Sequence, residues 1–140
     1  MKILLAVDGS PYTKRMLAYL ATHLETFSPA NDFTVFTVQP PLPPHARSVV
    51  GKEAVQKYHS EEAEKVLSPV IKFLMRHDIH AKSSWKVGHV GETIAKFAES
   101  NKYEMVVMGS HGHGGLMKLV MGSVATQVLA QCHVPVLMVR

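Results

Sequence analysis

Between Met108 and Val124 the chain reads MGSHGHGGLMKLVMGSV, with five glycines between two otherwise regular segments. Glycine loses more chain entropy on ordering than any other residue, so such a cluster marks a hinge, tight turns or close approach of backbone to a ligand. The glycines run into an amphipathic segment that begins near Ser123. A helix starting there presents unpaired N–H groups and a partial positive charge, which together attract phosphate. Glycines ahead of it let the backbone approach an anion, and the Ser123 hydroxyl after Gly122 can donate to it. The plainer reading leaves the glycines as turn residues and Ser123 as an ordinary N-cap. Asp8, directly after the apolar run ILLAV, is the other residue with chemistry to offer at a strand end.

Such residues need elements to hold them. Short apolar runs at 2–7, 33–38, 81–87, 104–109 and 134–139 predict five strands. Three are apolar nearly throughout, as strands covered on both faces of a parallel sheet are. Ser10-Pro11 predicts a helix start, with Leu17, Leu20, Leu24 and Phe27 on its apolar side. A long helix is expected over about 49–76, kinked or restarted at Pro69 with Ser68 as a cap. Two shorter ones are expected at Thr93–Asn101 and Ser123–Cys132. The alternation defines an α/β sandwich with a mostly parallel sheet, in which ligands bind beyond the carboxyl ends of the strands. Asp8 and the glycine stretch both fall at such ends. The proline-rich loop 39–48 is too short to be a domain linker.

Composition narrows the function classes. With 46% apolar and 19% charged residues in 140, one ordered domain over 1–140 is expected and disorder is not. The net charge of +4 suits attraction to a small anion, but no Lys/Arg run exceeds two residues, which argues against a nucleic-acid surface. No apolar run reaches the roughly 18–20 residues that span a bilayer, and the first is too short for a signal peptide, so the expected compartment is the cytoplasm. Cys132 is the sole cysteine, which rules out an intrachain disulfide and predicts a small buried apolar residue.

Familiar phosphate cradles fail on spacing. G-x-x-x-x-G-K-[ST] is absent, and the dinucleotide pattern breaks because Met117 stands three residues after Gly114. Gly109, Gly112, Gly122 and Ser123 do match G-x2-G-x9-G-[ST], the ATP-binding signature of the universal stress protein family. The chain resembles that family along essentially its whole length. KILLAVDGS is similar to its opening strand and aspartate, GHVGETIAKFAESNKYEMVVMGSHG to its passage from third to fourth strand, and GSVATQVLAQCHVPVLMVR to its closing helix and strand.

The resemblance implies a three-layer sandwich around a five-stranded sheet of order 3-2-1-4-5, adenine nucleotide alpha hydrolase-like or Rossmann-like. It also implies ATP and Mg2+ as ligands. Asp8 would face the ribose or a phosphate-bound metal, and the Val38 backbone would contact adenine. Met108 and Gly109 would line the ribose side, while Gly112, Gly122, Ser123 and Val124 would hold phosphates. A homodimer through the apolar last strand is implied too, and an unpaired edge of that kind independently invites a second copy. The expected role is a nucleotide-occupied module in stress response, with a slow ATPase or nucleotide hydrolase as the alternative.

Other residues have chemistry to offer. His89, His111 and His113 could meet at one cleft and bind a metal, but no Cys or acidic partner accompanies them at fixed spacing. Lys118 could reach a γ-phosphate or simply face solvent. Phosphoryl transfer needs cationic help, yet no arginine lies between Arg76 and Arg140, and no carboxylate besides Asp8 could be placed at the strand ends. Enzymes of similar fold that adenylate substrates carry S-G-G-x-D-S after the first strand. DGSPYTKR stands there in this chain, which argues against that chemistry and predicts at most weak hydrolysis.

Overall fold

The apolar runs become the strands of one parallel sheet, and the segments between them cover both of its faces. The structure is a computed structural model that describes residues 1–113 and 120–140. In chain order the elements are β1 (Lys2–Ala6), α1 (Pro11–Ala21), β2 (Asp32–Gln39), α2 (Pro44–Val50), α3 (Lys52–Met75), β3 (Lys82–Val87), α4 (Val90–Ser100), β4 (Met105–Gly109), α5 (Ser123–Gln131) and β5 (Val136–Val139). The strand order is β3-β2-β1-β4-β5, the order implied by the family resemblance.

Alternation along each strand divides the core in two. Ile3, Leu5 and Val7 of β1 and the residue after it point to one face, where they meet Met16 and Leu20 of α1 and Leu67, Val70 and Leu74 of α3. Leu4 and Ala6 point to the other and meet Ile94 and Ala98 of α4 and Ala125 and Val128 of α5. Leu5 is fully buried, so truncating it to alanine costs about 2–5 kcal/mol. The outer strand β3 reads KSSWKV and stays largely exposed, which explains its polar alternation.

The same order positions the cleft. β1 connects through α1 to β2, and β4 connects through α5 to β5, which lies in the opposite direction along the sheet. Right-handed crossovers therefore send α1 and α5 to opposite faces, and a crevice opens beyond the paired ends Ala6 and Met108.

Five sequence-based expectations differ from the structure. α1 ends at Ala21, so Leu24 and Phe27 lie beyond it in the turns that lead to β2, although Phe27 still packs in the core. The segment from 49 to 76 is two helices, α2 and α3, separated at Gly51 (φ 83°), and α2 takes up part of the expected 39–48 loop. Pro69 does not break α3. Its exposed position turns the carbonyl it orphans toward solvent, and the buried Leu67 and Val70 on either side hold the helix together against a cost of about 3 kcal/mol. α4 starts at Val90, ahead of Thr93, with Gly91 lying against the Gln127 side chain of α5. Cys132 is half-buried at the edge of the core.

Candidate functional site

At the carboxyl end of the sheet the three loops after β1, β2 and β4 enclose a cavity of about 490 Å3. Its size falls within the range of small-molecule sites, about 300–1,000 Å3. All eight residues singled out from the sequence line it: Asp8, Val38, Met108, Gly109, Gly112, Gly122, Ser123 and Val124. Val90 and Ile94 of α4 add apolar wall beside Val38, and Glu62 and Val66 of α3 also line the cavity, with Val66 close to Gly9.

The β1–α1 turn fixes Asp8. Its Oδ1 accepts from the Ser10 N–H at 2.9 Å and from the Thr13 hydroxyl at 3.1 Å. Ser10 occupies the N-cap position of α1 as expected, but its hydroxyl makes no capping bond, and the Thr13 N–H donates to the Ser10 carbonyl instead, at 3.0 Å. Across the crevice Asp8 Oδ2 accepts from the His113 N–H at 3.3 Å, and the His113 ring returns a bond from Nε2 to the Asp8 carbonyl at 2.9 Å. A Cβ on Gly112 would lie 2.4 Å from Asp8 Oδ2, closer than real contacts allow, so any side chain there must displace the Asp8 carboxylate or the loop. Gly109 is similarly confined, with Tyr12 Cβ 2.6 Å from where its own Cβ would stand.

The base of the glycine loop is pinched shut. The Gly122 N–H donates to the Ser110 carbonyl at 2.7 Å, and the Ser110 N–H donates to Val139 of β5 at 2.8 Å. α5 thus starts at the cavity wall, with Gly122 as its N-cap and Ser123 at the first helical position. Gly122 has no side chain to bond the free N–H groups of the first turn. An anion in the cavity can meet those donors, the helix dipole and the Ser123 hydroxyl together.

The histidines separate. His111 and His113 line the cavity, whereas His89 stands at the N-cap position of α4 in an adjoining crevice with Pro41 and Gln131. Among the described residues no three His, Cys, Asp or Glu side chains form a metal-binding group. His111 is 9% exposed, its Nδ1 lies 3.2 Å from Ser110 Oγ, and its ring is tilted against Tyr12 at 4.9 Å between centroids. Its Nε2 is buried and has no hydrogen-bond partner among the described residues, an omission that costs about 1–3 kcal/mol when nothing fills it. Lys118 lies outside the described residues.

Sequence reasoning missed Glu62. This carboxylate lines the cavity and accepts from Lys65 Nζ at 2.9 Å. Helical period marks the buried face of α3 through Ala63, Leu67 and Val70, but Glu62 and Val66 flank that face, and nothing local indicates that this flank lines a cavity. A carboxylate offers about four lone-pair positions, and Asp8 has three donors already. Such a donor set suits Mg2+ carried on a phosphate chain, which binds through one or two carboxylates plus phosphate oxygens and water, and not a cage built by protein alone.

A parallel sheet of this order, with a glycine loop leading to a helix N-terminus in the same cavity as an aspartate, defines a Rossmann-like α/β protein with a crevice at the carboxyl ends of its strands. A model of the universal stress protein family matches residues 1–140, and the chain belongs to that family. A universal stress protein of Synechocystis is 31% identical over 140 residues, covering 99% of this chain, and this chain spans 42% of that relative's length. The structure of the Methanocaldococcus jannaschii protein MJ0577 is similar with a TM-score of 0.81 and 26% identity, over 99% of this chain and 94% of that one. An Archaeoglobus fulgidus universal stress protein, solved in complex with dAMP, is similar in fold with a TM-score of 0.67 and 22% identity, over 100% of this chain and 98% of that one. Among the described residues no helix is long and apolar enough to cross a membrane.

Proposed function

We propose that residues 1–140 act as one domain that holds ATP with Mg2+ in the cavity between β1 and β4, and that occupancy of the site, in a homodimer in the cytoplasm, is what the protein contributes to stress response. The observation that carries this reading is the uncapped start of α5 facing Asp8 across a glycine loop, because it joins an anion site to a carboxylate within one cavity. Phosphates would sit against Gly112, Gly122, Ser123 and Val124, the ribose near Met108 and Gly109, and adenine beside Val38. Asp8 would hold the ribose or the phosphate-bound Mg2+. The dAMP held by the archaeal relative supports an adenine nucleotide as the ligand class.

Isothermal titration with ATP and Mg2+ tests the reading. Gly122→Val should abolish binding, since a branched side chain would press on His111 and occupy the phosphate position. Ser123→Ala should weaken it by about 1–2 kcal/mol, the worth of one charge-assisted hydrogen bond. Wild-type affinity in Gly122→Val would overturn the site.

One observation favours a second reading, slow hydrolysis. Glu62 supplies the second carboxylate that sequence reasoning could not place. Against it, backbone N–H groups and a helix dipole stabilise ground-state phosphates about as well as the transition state, and uniform binding does not accelerate chemistry. Expected turnover is below about one per minute, against about 10 per second for a typical enzyme. Phosphate release above about one per second, lost in Asp8→Asn, would make the protein a hydrolase.

A further inference from the structure

We infer that His111 is a phosphate-reading residue of the cavity, donating from Nε2 to an oxygen of the phosphate chain in a tautomer set by the Ser110 hydroxyl. The inference rests on the proposal that the cavity takes a nucleotide and adds a residue that the glycine signature does not contain. Two observations carry it. The first is the uncapped start of the nine-residue helix α5. The second is independent: a buried imidazole in the same cavity wall whose Nε2 has no partner among the described residues.

The ring is held for this task. Tyr12 packs against one face, and the Cδ2 edge, next to Nε2, faces Gly122, 3.7 Å from where a Cβ would stand. Nε2, one bond beyond Cδ2, therefore stands close to Gly122 at the N-cap of α5. Ser110 Oγ contacts Nδ1 at 3.2 Å. When the hydroxyl donates to Nδ1, the ring proton resides on Nε2 and the free nitrogen becomes a donor. Phosphate oxygens only accept, so a bound phosphate selects that tautomer and satisfies the buried nitrogen. Adenosine carries no phosphate to place there.

The test uses the wild-type protein first. Long-range proton–nitrogen NMR correlations of its histidine side chains are recorded alone, with ATP and Mg2+, and with adenosine. ATP should lock His111 as the Nε2–H tautomer, and adenosine should leave its signals in place. Titration of His111→Phe, which keeps a planar ring against Tyr12, should show ATP affinity reduced about tenfold or more, the worth of one hydrogen bond to a charged group, with adenosine affinity within about twofold of wild type. If ATP binds while His111 keeps its signals, or carries its proton on Nδ1, the inference is overturned and the nucleotide reading survives. If ATP does not bind the wild-type protein, both fall together.

Discussion

Asp8 and His113 stand 105 positions apart and are bonded in both directions. The backbone N–H of His113 donates to the Asp8 carboxylate, while the His113 ring donates to the Asp8 carbonyl. The carbonyl can only accept, so Nε2 must carry the ring proton. The β1–α1 turn and the glycine loop are thereby clasped across the mouth of the cavity, and Asp8 positions the loop as well as facing any ligand.

That clasp predicts the effect of Asp8→Asn. The amide keeps one accepting oxygen for Ser10 and Thr13 but turns an NH2 toward the His113 N–H, donor against donor. Losing this charged acceptor should destabilise the protein by about 1–3 kcal/mol. Hydrogen exchange at the His113 amide should quicken while amides in β2 stay unchanged. Equal protection at His113 in the variant would show that the clasp does not hold the loop.

Gly112→Ala should separate fit from fold. Its Cβ would fall on Asp8 Oδ2, so either Asp8 rotates or the loop lifts. ATP affinity should drop at least about tenfold while the core is untouched, and a far-ultraviolet circular dichroism spectrum should match wild type. Unchanged affinity would mean that the two loops can part freely.

The proposed dimer depends on β5, an outer strand of the sheet whose Val136, Leu137 and Met138 are half-exposed. Leu137→Lys should convert the dimer to a monomer at micromolar concentration in sedimentation velocity, because a lysine on the edge strand opposes pairing with its copy. A dimer that persists would place the interface elsewhere.

Glu99 at the end of α4 accepts from the His133 N–H at 2.7 Å and from its ring at 2.9 Å, tying α4 to the turn before β5. The backbone bond from His133, with its side chain in support, holds the Glu99 carboxyl below the ordinary carboxylate range. A depressed folded value means that the carboxylate's contribution is complete above the unfolded value, near about pH 4.3, and is lost as pH falls through the lower folded value. Glu99→Gln should therefore flatten the acid limb of a stability–pH curve below about pH 5 and leave its slope near neutrality unchanged. An acid limb as steep as wild type would remove Glu99 from that role.

Cys132 should label slowly with iodoacetamide at pH 7, because burial raises its thiol and leaves little thiolate to react. Labelling as fast as a free cysteine would contradict that placement.

The strands were legible because their signal is local. ILLAV and MVVM are apolar without interruption, and a strand covered on both faces uses such a run. The helix start at Ser123 was legible for the same reason, since a cap and a first turn need only neighbouring residues. Periodicity did not supply the strand order, which came from resemblance to a family. It depends on crossover handedness and on which helix covers which face. Pro69 misled because its local cost is offset by Leu67 and Val70, whose burial exists only once α3 lies on the sheet. Glu62, the unpartnered nitrogen of His111 and the Asp8–His113 clasp were decided by tertiary structure alone. Each depends on residues far apart in the chain arriving within a few ångströms, and no spacing along a sequence records that distance.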